Sequence, residues 1–149
     1  MLKAGSRLLS MWCVINFILA FIILIYVIIF KKDSPILQVA SFSEIEITSL
    51  SAKTIAALNA LTILYNSCSV VVSVMVWFLT RKSLIAGQKW AFWVLLFVIG
   101  FVELMAFIAS SPIGNARWQV NVVQSFLYVV GIGLSGYSLF KGVKNEFNH

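Results

Sequence analysis

Histidine and acidic side chains are nearly missing from this chain. Its 149 residues hold one histidine, five Asp and Glu, and 11% charged residues in all, where soluble domains average roughly 25%. That scarcity excludes an ordinary soluble domain and several kinds of chemistry with it. Paired histidines for haem and His/Asp metal sites have no ligands to draw on, because His149 stands alone at the end of the sequence. A serine nucleophile needs a base within reach, and none is at hand. No metal and no cofactor is therefore expected. Cysteine is equally sparse. Cys13 and Cys68 form no C-x-x-C pair, fall at different helix depths, too far apart for a disulfide, and read as free packing residues.

What fills the chain is apolar: 61% of the residues are hydrophobic. All but one of the charges lie outside four apolar stretches, each longer than the ~20 residues that cross a bilayer. The expected fold is all-α, an integral membrane four-helix bundle with antiparallel up-down topology and left-handed packing. Residues 1–149 form a single transmembrane domain with spans at about 8–30, 54–80, 90–111 and 119–140. Between them lie an extracytoplasmic loop 31–53, a cytoplasmic loop 81–89 and a short outer loop 112–118, with a cytoplasmic tail 141–149. The first span is too long for the ~7–15-residue core of a signal peptide and reads as a retained helix. The short 81–89 connection predicts that helices two and three are antiparallel neighbours. Ser51 or Thr54 is expected to cap helix two. The polar–apolar alternation Ser43-Glu44-Ile45-Glu46-Ile47-Thr48 predicts a short strand or edge hairpin, and residues 111–115 read as a turn.

Basic residues mark the topology. Lys3, Arg7, Arg81, Lys82, Lys89, Lys141 and Lys144 flank one side; Lys31, Lys32, Lys53 and Arg117 flank the other, together with Asp33, Glu44 and Glu46. The positive-inside rule places both termini in the cytoplasm of a multi-pass cell-membrane protein. Trp12, Trp77, Trp90 and Trp93 are expected at the cytoplasmic interface and Trp118 at the other.

Polar and small residues recur in alternating steps of three and four, the ~3.5-residue period of left-handed helix packing. Helix one carries Cys13, Asn16 and Ala20; helix two Asn59, Thr62, Asn66, Ser69 and Ser73. Helix three carries Gly100, Glu103, Phe107 and Ser110; helix four Asn121, Gln124, Tyr128, Gly131, Ser135 and Ser138. In lipid such seams turn toward protein. Gly100, Gly131, Ser135 and Asn16 are the expected helix-packing positions. Gly131, Gly133 and Gly136 spell G-x-G-x-x-G, but within an apolar span this string has neither the strand nor the loop of a nucleotide site and reads as close helix contact.

Glu103 is the one ionisable group inside the spans, and a charge at that depth costs at least ~2.5 kcal/mol on insertion scales. It needs a partner or a proton. Counting ~1.5 Å per residue, Asn66 and Tyr128 reach its depth with Gln124 beside them, while Asn16 lies deeper, near Ser73 and Ser135. Asn59, Thr62 and Asn121 line the way to the outer face. These residues form the candidate ligand-binding or proton-exchanging set; no catalytic residue is assigned.

Two functions follow as expectations. The first is a non-enzymatic membrane partner, an accessory subunit or immunity-type protein acting through helix and outer-loop packing. The second is a small oligomeric proton-coupled transporter or ligand- or lipid-binding bundle built on Glu103. A lipid-acting proton-transfer enzyme using Glu103 and Tyr128 is a lesser third. The expected partners are the lipid bilayer and either another membrane protein or further copies of the chain. Nucleic acid is disfavoured because no contiguous basic face exists. In length and span count the chain is similar to small multidrug transporters and to trimeric glutathione-and-eicosanoid membrane enzymes. Helix one lacks the transporters' glutamate, the spans lack the enzymes' arginine, and no family is assigned.

Overall fold

A computed structural model describes residues 1–30, 37, 43–110 and 118–141. Among these every regular element is a helix and there is no strand. Helix α1 spans Leu2–Phe30, the short α2 Glu44–Ser49, α3 Ala52–Phe78, α4 Lys89–Ser110 and α5 Trp118–Lys141; α3 runs on into a π-helical turn, Leu79–Leu84. Four stretches, Leu2–Ile29, Ala52–Leu84, Lys89–Ile108 and Asn121–Lys141, are long and apolar enough to cross a membrane. The turn at 111–115, the charges Lys31, Lys32, Asp33, Arg117 and Lys144, and His149 lie outside the described residues, as do the side chains of Glu44, Ser110 and Trp118.

The strand expected over residues 43–48 is a helix. Ser43 and Glu46 make a capping box: Ser43 N–H donates to Glu46 Oε2 at 2.8 Å, and Glu46 N–H donates to Ser43 Oγ at 3.3 Å. Six residues are too few for a period-two pattern to outweigh two satisfied helix-end donors. The N–H and hydroxyl of Ser43 also hold the exposed Glu46 carboxyl below its ordinary range. One turn further, Ser51 caps α3, its Oγ accepting from Thr54 N–H at 3.1 Å.

At its other end α3 passes the expected boundary. Ile85 N–H donates to Thr80 O at 3.3 Å, five residues back, so Thr80 and Leu84 face inward while Arg81 and Lys82 face out. Gly87, at φ +79°, then stops the helix. Gly87 N–H reaches Leu84 O at 2.9 Å and Gln88 N–H reaches Ser83 O at 3.1 Å, a Schellman closure that requires the left-handed residue. This turn ties α3 to α4 at one end. Along their lengths α3 lies on α1, α1 on α5 and α5 on α4. Chain adjacency therefore joins α3 and α4 at their tips, while small-residue fit decides which helices run side by side.

That fit is sharpest between α1 and α5. A Cβ on Gly5 would meet Ser135 Oγ, and would lie 2.6 Å from Gly131 O and 2.9 Å from Ser135 N. One on Gly131 would press Leu9 at 3.0 Å. On another flank of α5, Gly136 abuts the Phe92 ring of α4, and Phe92 meets Phe140 with centroids 5.4 Å apart. Gly133, by contrast, faces open space. The apolar core, Leu9, Trp12, Cys13, Val76, Leu84, Phe92, Leu95, Ile99, Leu127 and Ile132, fills the half of the molecule next to the π turn. The opposite half buries Thr62, Asn66, Glu103, Asn121 and Gln124. Large apolar side chains such as Ile22, Leu64, Phe101 and Phe126 point outward. Polar groups inside and apolar groups outside is the distribution suited to lipid, consistent with a multi-pass membrane protein.

Candidate functional site

Glu103 is buried where α1, α4 and α5 meet. Its Oε1 accepts from the indole Nε1–H of Trp12 at 2.7 Å, and its Oε2 accepts from the hydroxyl of Ser125. One carboxyl thus bridges three helices through two neutral donors. Tyr128, one turn along α5 from Ser125 and within electrostatic range of Glu103, donates to Leu96 O at 2.7 Å. Gly100 makes this possible, since a Cβ there would lie 2.7 Å from the Tyr128 Oη.

The other sequence-predicted residues divide between this centre and α3. Gln124 and Asn121 are buried on α5, just before Ser125. Asn66 is buried but its amide donates to Thr62 O on its own helix at 2.7 Å, and Thr62 likewise bonds back to Leu58 O. Asn59 is half-buried near the start of α3. So the partners of Glu103 are Trp12 and Ser125, in place of the expected Asn66 and Tyr128. Asn16 meets Ser73 as depth counting predicts, its Nδ2 donating to Ser73 Oγ at 2.9 Å, whereas Ser135 lies farther down against Gly5. Gly100, Gly131, Ser135 and Asn16 all stand at contacts between helices. Phe107 is exposed, off the seam.

Trp12 corrects a sequence expectation. It is fully buried between the helices and bonded to Glu103, with no surface left for a headgroup layer. Helix α1 begins at Leu2, with Lys3 and Arg7 exposed on its first turns, so Trp12 lies ~15 Å along the helix and not at its edge. The signal was present, for Leu9, Trp12 and Asn16 keep the three-four spacing. Ser125 was harder to find, being one position off the α5 seam on the flank that meets α4.

Chemically, the centre holds a carboxyl in a fixed orientation, with both oxygens engaged. Three hydroxyls of the helices, Ser10, Ser73 and Ser135, bond back to backbone carbonyls four residues earlier, which satisfies them locally. Among the described residues no group of His, Cys, Asp and Glu is arranged to hold a metal ion. Comparison with protein-family models, with curated proteins and with solved structures gave no match.

Proposed function

We propose that this protein is a four-span cell-membrane protein, a left-handed up-down bundle with both termini cytoplasmic, that works without catalysis as a membrane partner. In this reading it is an accessory subunit or immunity-type blocker, acting through its lipid-facing helix surfaces and outer loop. The observation that carries the reading is the engagement of Glu103. Both carboxyl oxygens are taken by donors on two other helices, which suits a polar clasp that sets helix register and rotation. A buried polar group costs most when it is left unpaired and least when it is fully bonded.

A second reading, a small oligomeric proton-coupled transporter or ligand-binding bundle, is favoured by one feature of the same centre. The donors to Glu103 are neutral, so a proton or a bound cation is a chemically possible companion. The substitution Glu103→Gln separates the two. It keeps the shape and one carbonyl acceptor for Trp12. Under the clasp reading, Glu103→Gln leaves stability and co-purification with a stoichiometric membrane partner within a factor of about two. Loss of a transport or cation-binding activity in Glu103→Gln, with folding intact and no partner retained, sinks the clasp reading.

A further inference from the structure

The end of the molecule at the π turn is strongly cationic. The start of α1, the end of α3, the start of α4 and the end of α5 gather there, as the contacts of Gly5 with Ser135 and of Phe92 with Phe140 require. Lys3, Arg7, Arg81, Lys82, Lys89 and Lys141 are all exposed at this end, and among the described residues none has an acidic partner. Lys53 is the single described cation at the other end, beside the acidic helix α2.

These charges are not randomly disposed. The Arg81 guanidinium stands 5.9 Å from the centroid of the Trp77 ring and Lys89 Nζ 5.8 Å from that of Phe140, while Lys141 Nζ donates to the Tyr137 hydroxyl. Trp90 and Trp93 extend the aromatic ring outward between them. Three of the six cations thus rest against an aromatic side chain, and all six are exposed. Aromatic rings of this kind occupy the headgroup level of a bilayer, where the cations meet lipid phosphates. The π turn contributes by aiming Arg81 and Lys82 outward while Thr80 and Leu84 are buried.

Resting on the membrane-spanning reading above, we propose that this cation–aromatic girdle binds the phosphate groups of anionic phospholipids, selecting them from zwitterionic ones. Charge complementarity commits the surface to that occupant. A zwitterionic headgroup brings its own ammonium and gains little from exposed Lys and Arg. An anionic headgroup gains from each cation near the surface.

The test uses the full chain with Trp118→Phe, reconstituted in phosphatidylcholine vesicles containing a minor fraction of brominated phosphatidylglycerol or brominated phosphatidylcholine. Quenching of Trp77, Trp90 and Trp93 reports the lipid at the girdle. The expected result is about fivefold enrichment of phosphatidylglycerol, weakening with salt and unaffected by millimolar inorganic phosphate. The enrichment disappears in R81Q/K82Q/K89Q and persists in the charge-conserving R81K/K82R/K89R. Equal quenching by the two lipids overturns the proposal. Erasure of the preference by free phosphate also overturns it, assigning the surface to a soluble anion. Absence of quenching by either lipid overturns the spanning reading itself, and the inference with it.

Discussion

Trp12, Glu103 and Ser125 show how one residue's requirement organises its neighbours. A carboxyl in an apolar interior must find donors, and the indole N–H is a donor that brings a large apolar body with it. Trp12→Phe keeps most of that body and removes the proton, leaving Glu103 Oε1 without its 2.7 Å partner. The expected loss is about 1–3 kcal/mol, read as a lower thermal midpoint in detergent. Combining Trp12→Phe with Glu103→Leu should cost less than the sum of the two alone. Additivity of the two changes would show that the bond contributes nothing to stability. Asn16 with Ser73 is a smaller case of the same kind, since side-chain bonds between membrane helices average about 0.6 kcal/mol.

Among the elements, α5 is held on two flanks by small-residue contacts, by α1 through Gly5 and Gly131 and by α4 through Gly136. Two glycine substitutions should therefore act in opposite directions. Gly5→Ala places a methyl against backbone atoms of α5 within 3 Å, an overpacking that costs about 1–3 kcal/mol. Gly133→Ala meets nothing within 4 Å and should stabilise the helix by roughly 0.5–1 kcal/mol. Thermal unfolding of the two variants in one detergent checks the pair, and equal shifts would refute the assigned contacts. Helix α2 depends on pH in a defined direction. The folded Glu46 carboxyl is held below its ordinary value near 4.5, so its capping contribution is complete above that range and is lost as pH falls through the lowered folded value. A carboxyl-carbon NMR titration should place Glu46 below a free glutamate, and Ser43→Ala should return it. An unshifted titration in the native protein would remove the capping box from the account.

Over the whole molecule, charge and polarity vary along one axis. Exposed cations, with no acidic partner among the described residues, gather at the π-turn end; an apolar core follows, then a polar half around Glu103, and finally α2 with its acidic cap. In the proposed orientation the cationic end is cytoplasmic, as expected where basic flanks stay on the side of synthesis. New cysteines at Lys82→Cys and Lys53→Cys, in a Cys68→Ser background that leaves only the buried Cys13, should react with a membrane-impermeant thiol reagent from opposite sides. In intact cells the residue-53 site should be labelled and the residue-82 site should require permeabilisation. The reverse pattern would invert the topology without touching the fold.

Helical class and the number of helices long and apolar enough to cross a membrane were legible from the amino-acid order because transfer into lipid is a local, additive quantity: about twenty apolar residues carry it wherever they sit in a fold. The three-four spacing of Thr62, Asn66 and Ser73, and of Asn121, Gln124, Gly131 and Ser135, likewise announced which faces are buried. Depth counting alone sufficed to bring Asn16 to Ser73. The capping box of α2 was written as S-x-x-E and was masked by a competing alternation too short to decide. The partners of Glu103 were of another kind. They depend on where α1 starts, on how far α5 rotates about Gly131 and on the reach of an indole across two helices, and these are set jointly by all the contacts. Local composition therefore determined that polar residues face inward, and only the packed arrangement of α1, α4 and α5 decided which of them meet.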